Sequence, residues 1–402
     1  MEASVRGVFS AHFKAWSQGR RLPLHHHKAA YALAHCRTPA MGTHVQRCVH
    51  GHYETVQFNA CRSRSCPRCS SLARERWVVA QQAKLLACDH YHVVFTVPHE
   101  LLVLFGSHRK LMVDILFRSV RETLMTLLQD GRHLGAEPGL LMALHTWGRN
   151  LSHHPHIHCL VSGGGLTVDG QWRATKTAYL VPVRVVKALY RGKFLGLLYD
   201  AVDEGALCPA QGQCEQGLRR LFVALAKKDW YVRLKERYAH GQGVMKYLAR
   251  YVKGGPISDT RVCRVDDTRV TFRYRDQRDG QRQGITLSVG DFMGRLLWHL
   301  PEPYQHLVRT AGLYSNRANK KRNACRRQLN QGREAVWAAL SWQAYLTRLG
   351  HRRNTLCPVC GTPLAVVPRS RQNQNSYKER PAVKVFIHPT DEADIACEPQ
   401  PP

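Results

Sequence analysis

Two histidines separated by a single residue are the strongest chemical signal in the sequence. His156 and His158 lie in the segment HHPHIHCLV, whose apolar run is typical of a strand. Because residues two apart on a strand face the same way, both imidazoles are expected to bind one divalent metal ion. We therefore predict a catalytic Mg²⁺ or Mn²⁺ ion here, acting as a Lewis acid on phosphate oxygens at its open positions. The candidates for a third protein ligand are His99, His153, His154 and Gln242.

Two tyrosines lie about ninety residues further along, in the segment YLARY. Tyr247 and Tyr251 are four apart in a helix-like stretch, so they are expected to share one face about one turn apart. A tyrosine has an ordinary pKa of about 10, and a metal ion, Lys246 or Arg250 would favour its phenolate form. Attack on a phosphodiester would form a phosphotyrosine, which preserves the bond energy for later joining. The two phenols therefore predict cleavage of a DNA strand with one end kept on the protein.

A cluster of cysteines between residues 36 and 69 predicts a structural zinc site. In a reducing compartment such clusters indicate metal binding rather than disulfides. Cys66 and Cys69 form a CPxC knuckle before a basic helix, and earlier cysteines complete the spacing of a zinc ribbon. The expected ligands are Cys48, Cys61, Cys66 and Cys69, with His50 or His52 as alternates and Cys36 as an outside candidate. A late pair, Cys357 and Cys360, is a possible second zinc knuckle without an evident partner half.

The charge balance indicates a polyanionic partner. Lysine and arginine total 59 against 29 acidic residues, which gives a formal net charge of +30. Nucleic acid is the usual partner of so basic a chain. Phosphate contacts are expected from the residues beside the two motifs: Arg62, Arg64, Arg68, Lys246 and Arg250. Aromatic residues that could stack on unpaired bases are Trp147, Phe272 and Tyr274.

No apolar run approaches the roughly 18 residues of a membrane span, and no signal-peptide core begins the chain. We therefore expect no membrane partner and a cytoplasmic, nucleoid-associated protein in a bacterium. The 402 residues suggest two or three domains.

The segments around the histidines predict an α+β fold with a central antiparallel sheet and helices on one side. Residues 90–97, 140–148 and the histidine segment are the expected strands, and residues 107–130 carry apolar residues at helical spacing. An N-terminal zinc-ribbon domain and a C-terminal helical region would flank this sheet. The expected divisions are 1–87 (helical and zinc-binding), 88–287 (nuclease, with a helical insertion at 182–228), 288–365 (basic, helical, with the CxxC knuckle) and 366–402 (a disordered tail).

Five motifs within residues 30–320 resemble the transposases of the insertion sequence ninety-one family, which are two-tyrosine HUH rolling-circle enzymes. The motifs are ACRSRSCPRC, HPHIHCLVSGGG, YLARYV, TFRYRD and GLYSNR. The resemblance implies a zinc-binding domain followed by an HUH nuclease domain that cleaves single-stranded DNA through a 5′-phosphotyrosine. It places His156 and His158 on the HUH pair, and Tyr247 and Tyr251 on the catalytic tyrosines. The implied partners are single-stranded DNA, insertion-sequence ends and target DNA, with host replication or helicase factors because the chain has no phosphate-cradling GxxxxGK[ST] loop.

The sequence departs from the family pattern in its zinc region. Family members often have a CxxC at the start of this region, whereas here Cys48 is followed three residues later by Gly51. His50 or His52 would take the place of that second cysteine. Ser65 stands before the CPxC knuckle, where relatives often have histidine.

Three other classes of protein fit parts of the pattern. A tyrosine recombinase would use several arginines and a late tyrosine without metal, and would leave a 3′ link. An acid-triad transposase would need three carboxylates on an RNase-H-like sheet. A non-catalytic zinc-containing DNA-binding regulator would bind DNA and leave it intact, so changing Tyr247 and Tyr251 to Phe would have no effect on it.

Overall fold

A computed structural model gives the fold of the chain. The described residues are 2–176, 180–209, 214–238, 245, 248–249, 252, 254–276, 279–333, 339–350 and 355–368. Among them the α-helices are α1 (Val5–Ser17), α2 (Leu24–His35), α3 (Ser70–Gln82), α4 (Leu102–Ser107), α5 (Arg109–Gln129), α6 (Val183–Asp203), α7 (Glu215–Ala226), α8 (Val289–Trp298), α9 (Asn319–Gln328) and α10 (Trp342–Arg348). None of these helices is long and apolar enough to cross a bilayer.

The strands form three antiparallel sheets within the described part of the chain. The strands are β1 (Thr43–Arg47), β2 (Glu54–Phe58), β3 (His90–Thr96), β4 (Glu137–Trp147), β5 (His153–Leu166), β6 (Trp172–Ala174), β7 (Val232–Tyr238), β8 (Val262–Val265), β9 (Arg269–Arg275), β10 (Arg282–Ser288), β11 (Val308–Gly312) and β12 (Ala365–Pro368). The central sheet has the order β11-β4-β5-β3-β7, with β6 paired to β5. The other two sheets have the orders β10-β9-β8 and β12-β1-β2.

One face of the central sheet is covered by long helices. Alternate residues of β3, β4 and β5, such as Val93, Leu144 and Ile157, are fully or almost fully buried there against α4, α5, α6 and α7. In α5, apolar residues recur three or four positions apart and are buried, as an amphipathic helix on a sheet requires. Burial of this face fixes the strand register, because a one-residue slip would turn every side chain over. The residues adjacent to these along each strand therefore face the other side of the sheet.

The opposite face of the central sheet carries a smaller apolar cluster and the histidines. Leu141, Ala143 and Leu160 form this cluster with Leu313 and Tyr314, from the chain after β11. The ring of Tyr314 lies against Gly139, where a Cβ would come within 2.8 Å of it, so only glycine fits there. This face is therefore only partly apolar, and histidines form its polar part.

The chain divides into two compact units. The larger comprises Met1–Arg37 and Ala60–Thr355, and the smaller comprises Thr38–Asn59 and the chain from Leu356 onward. The smaller unit contains the sheet β12-β1-β2, in which Arg47 pairs with Glu54 on one side and Ala365 on the other. This division differs from the linear series of domains expected from the sequence, because residues far apart in the chain share one sheet.

The expected α+β class is confirmed, with antiparallel sheets and with long helices on one face of the central sheet. Two helices, α6 and α7, occupy the expected insertion, and both contribute to the main core rather than standing apart from it. The region after residue 288 was expected to be helical, but it also supplies β11, which pairs with β4. The five residues of β11, VRTAG, show no clear alternation of apolar and polar side chains. This segment is a strand because it pairs with the edge of β4. The expected tail begins at residue 366, but residues 366–368 belong to strand β12, and only 369–402 lies outside the described residues.

Candidate metal and nuclease site

Three histidines converge on the partly polar face of the central sheet. His156 and His158 lie on β5, and His145 lies directly opposite His156 on the neighbouring β4. The ring centres are 5.1 Å apart for His145 and His156, 4.0 Å for His145 and His158, and 4.9 Å for His156 and His158. One nitrogen from each ring lies within 4.8 Å of the other two. Ala143, opposite His158, is small enough to leave the rings room to meet.

Hydrogen bonds of two of these rings select the nitrogen that is left for an ion. Nδ1 of His156 lies 2.6 Å from the carbonyl oxygen of His154, so Nδ1 carries the proton and donates it. Nδ1 of His158 lies 2.7 Å from Nε2 of His92, on strand β3. A metal-binding histidine commonly donates its other N–H to such an acceptor, which fixes the tautomer and the ring orientation. Both rings would therefore present Nε2 to the ion.

Burial keeps the histidine rings uncharged, which is the form that binds a metal. The pKa of His156 is lowered to about 3, chiefly by burial and then by the nearby His154. Burial also lowers the pKa of His145, and the neighbouring His156 and His92 act in the same direction. His145 and His156 are thus uncharged at neutral pH and able to bind an ion.

His145 is the residue that the sequence interpretation missed as a third ligand. Of the residues considered for that role, His153 packs against Trp298, and the side chain of His99 is 84% exposed beside Glu100. His154 contributes its carbonyl to His156 rather than its ring to the cluster. Gln242 lies outside the described residues. The available signal was a histidine within an otherwise apolar predicted strand.

A helical segment packs on the same face of the sheet. Met245, Leu248 and Val252 are helical, buried, and part of one apolar cluster with Leu141 and Leu160 of β4 and β5. Leu141 shares its face with His145, and Leu160 shares its face with His158, because the side-chain period along a strand is two. The predicted nucleophiles and their basic neighbours, Lys246, Tyr247, Arg250 and Tyr251, lie outside the described residues.

Four cysteines of the larger unit form a compact sulphur cluster. Sγ of Cys36 lies 3.3 Å from Sγ of Cys69 and 3.6 Å from Sγ of Cys66, and Sγ of Cys61 lies 3.7 Å from that of Cys69. A tetrahedral zinc ion with Zn–S bonds of about 2.3 Å requires sulphurs about 3.8 Å apart. A disulfide would require about 2.05 Å. The four thiols therefore fit a structural zinc ion.

The grouping of the cysteines differs from the sequence interpretation. Cys36, an outside candidate, takes the position expected for Cys48. Cys48 belongs to the smaller unit, where it groups with His50, His52 and Cys360. Cys357, expected as a ligand together with Cys360, is not a member of this group. Cys48 was expected because it is closer in sequence to the Cys66–Cys69 knuckle. In the structure, α2 ends beside this knuckle and brings Cys36 to it.

The arginines beside the knuckle have different environments. Arg64 donates to the backbone carbonyl of Val252 and is partly buried, so it links the zinc loop to the helical segment. Arg68 forms ion pairs with Asp259 at 2.8 Å and Glu2 at 2.5 Å. Arg62 is exposed. Two of the three expected phosphate contacts are thus engaged within the protein, and only Arg62 retains the open position that such a contact needs.

The aromatic residues expected to stack on bases are also distinguished by exposure. Phe272 is fully buried against Phe292, so its expected stacking role is wrong. Tyr274 is half-buried and donates its hydroxyl hydrogen to Gln283. Trp147 is half-buried and lies parallel to the ring of His145, with 6.1 Å between their centres. Trp147 is therefore the candidate that adjoins the histidine cluster.

Replacing His92 with Phe is expected to weaken metal binding by the histidine cluster about 10- to 100-fold, as loss of an outer hydrogen-bonding partner commonly does. The change removes the hydrogen-bond partner of His158 Nδ1, which lies 2.7 Å away, and leaves the three proposed ligands in place. Calorimetric titration with Mn²⁺ would measure the effect, with the exposed His99→Phe variant as a control. Equal affinities for the two variants would contradict a role for His92 in positioning His158.

Two family models match the chain. A model described as "Putative transposase" matches residues 139–322, and one described as "Transposase zinc-binding domain", of the IS91 type, matches residues 8–97. The first range contains the three histidines, and the second contains the four-cysteine cluster. Cys360 lies in neither range.

Curated relatives cover most of the chain. A "Putative transposase y4qJ" of Sinorhizobium fredii is 38% identical over 368 residues, which is 89% of this chain and 92% of that protein. A "Transposase for insertion sequence element IS801" of Pseudomonas savastanoi pv. phaseolicola is 32% identical over 287 residues, 70% of this chain and 68% of that protein. Among solved structures, a conjugative relaxase TrwC in complex with oriT DNA is 15% identical and covers 40% of this chain and 68% of that one, with a TM-score of 0.22 that is too low to carry an argument.

Proposed function

This chain belongs to the IS91 family of transposases, and we propose that it cuts and rejoins single-stranded DNA at insertion-sequence ends by tyrosine attack. The observation that carries this proposal is the convergence of His145, His156 and His158 on the sheet face that also holds the helical segment around Leu248. The motif tyrosines Tyr247 and Tyr251 adjoin Leu248 and Val252 in the chain. A metal site and two nucleophiles would then serve one scissile phosphate.

The proposed step is a transesterification, in which one bond to phosphorus forms as another breaks. The phenol of Tyr247 or Tyr251 loses its proton to solvent and its oxygen forms a bond to phosphorus. The bond from phosphorus to the 3′ oxygen breaks, and that oxygen takes up a proton from solvent. The products are a 5′-phosphotyrosine and a free 3′ hydroxyl, so no water or external energy source is consumed. A divalent ion, Mg²⁺ or Mn²⁺, would offset the charge on the phosphate oxygens when bound to the three imidazoles.

The remaining parts of the chain would bind and position the strand. A net charge of +30 favours a nucleic-acid partner and predicts binding that weakens steeply with salt. Trp147, beside His145, is placed to stack on an unpaired base. The four-cysteine cluster would hold Zn²⁺ and fix the loop from which Arg64 contacts Val252. Insertion-sequence ends and target DNA would be the substrates, and host factors would open the duplex.

A denaturing-gel assay tests this proposal. Purified protein with Mn²⁺ is expected to convert labelled single-stranded DNA from an element end into a cut fragment and a protein-bound fragment, and chelation of the ion should prevent both. Bound but uncut DNA under these conditions would instead indicate a zinc-containing DNA-binding regulator. A 3′ link, formed without metal, would indicate a tyrosine recombinase.

A further inference from the structure

We infer that Cys48, His50, His52 and Cys360 form a second zinc site, which closes the smaller unit around a metal ion. Three of these residues lie in the loop between β1 and β2, and the fourth lies just before β12. The site joins segments 312 residues apart in sequence at its two cysteines. It lies partly outside the matched zinc-binding domain, which ends at residue 97.

The geometry of the four side chains suits one tetrahedral ion. Sγ of Cys48 lies 3.5 Å from Sγ of Cys360, which is far longer than the roughly 2.05 Å of a disulfide. Sγ of Cys360 lies 3.6 Å from Nδ1 of His50, and all four ligand atoms, including one from His52, lie within 4.8 Å of one another. Two thiolates and two imidazoles are a common donor set for structural zinc.

Two tight turns present the cysteines to this site. The amide of Gly51 donates to the carbonyl of Cys48 at 3.0 Å, and the amide of Gly361 donates to the carbonyl of Cys357 at 2.9 Å. Gly51 and Gly361 have φ angles of 78° and 72°, which glycine adopts most readily. Each turn thus folds a short loop back on itself, as metal-binding knuckles do.

An outer partner supports the thiols. Oγ1 of Thr362 lies 3.0 Å from Sγ of Cys360 and 3.5 Å from Sγ of Cys48. A hydroxyl at that position can donate to a thiolate, and such contacts orient metal ligands.

The described part of the smaller unit, residues 38–59 and 356–368, has no apolar core that would hold it together without a metal. None of the three apolar clusters among the described residues includes a member from 38–59 or 356–368. Its buried apolar residues in that part of the chain are Val45 and the cysteines Cys48 and Cys357. Small units of this kind need a metal or disulfides, and the binding energy of a structural zinc ion is folding energy. The ion would therefore hold β12 to the β1–β2 hairpin.

Zinc content per chain tests this inference without any measurement of DNA cleavage, so its outcome is independent of the proposed function. The full chain carrying His156→Ala, which removes a ligand of the histidine cluster, would be desalted and its zinc counted by elemental mass spectrometry. We expect two zinc ions per chain. Adding Cys360→Ser should remove one, adding Cys66→Ser should remove the other, and adding the exposed Cys208→Ser should remove none.

Two results would overturn the second site. One is a count of a single zinc ion in the His156→Ala chain, a measurement that does not depend on whether any cysteine variant folds. The other is an unchanged count after Cys360→Ser. Cys208 is a matched control because its thiol is exposed and lies 3.4 Å from the carbonyl oxygen of Gly205, away from both cysteine clusters.

Discussion

Changing both Tyr247 and Tyr251 to Phe is expected to abolish the covalent link between protein and DNA and to lower the cleavage rate by several orders of magnitude. Removal of a catalytic nucleophile has effects of that size, because the chemical step itself is lost. Each single Phe variant should retain one of the two attacks and so still form an adduct. The measurement is the rate of adduct formation on labelled single-stranded DNA.

Tyr304→Phe is a matched control for the tyrosine variants, because Tyr304 is 99% exposed and lies outside the site. It should cut and bind like the unaltered protein. DNA binding by the double variant should also be unchanged, since the phenolic oxygens contribute little to the phosphate contacts that dominate affinity. Adduct formation by the double variant at the normal rate would exclude both residues as nucleophiles.

Changing His145 to Ala is expected to reduce metal-dependent cleavage by more than about 100-fold, because even the loss of an outer partner of a metal ligand costs 10- to 100-fold. The ring of His145 is fully buried, and its centre lies 4.0 Å from that of the His158 ring. A histidine at the protein surface therefore cannot take its place as a metal ligand. Part of the lost rate should return at high Mn²⁺ concentration, because two of the three ligands remain.

The control for His145 is His99→Ala, which removes a histidine side chain that is 84% exposed and lies outside the cluster. This variant should keep the metal affinity and the cleavage rate of the unaltered protein. Equal losses in the two variants would show that His145 has no special role in metal binding.

The shared orientation of the two proposed metal-binding histidines of β5 was predictable from local sequence. His156 and His158 share a face in any strand, whatever its neighbours are. His145 comes from a separate strand, and only the pairing register of β4 with β5 places it opposite His156. Register depends on burial of the other sheet face against α5 and α6, which local sequence does not encode.

The cysteine clusters were also only partly predictable, because some of their members come from distant parts of the sequence. Cys66 and Cys69 are a local knuckle, and the sequence identified them as a pair. Cys36 reaches them because α2 ends beside the knuckle, and Cys360 reaches the β1–β2 loop because β12 pairs with β1. Spacing rules cover only ligands supplied by one local segment, so they assigned Cys48 to the wrong neighbours.

The covalent link between DNA and one of the motif tyrosines is the central claim, and mapping that link tests it most directly. DNA labelled at its 3′ end should become attached to the protein, whereas a 5′ label should leave on the released fragment. Trypsin would separate the two candidates, because cleavage after Lys246, Arg250 and Lys253 puts Tyr247 in the peptide YLAR and Tyr251 in YVK. We predict a nucleotide on one of these two peptides; attachment at any other residue, or through the 3′ end, would contradict the account.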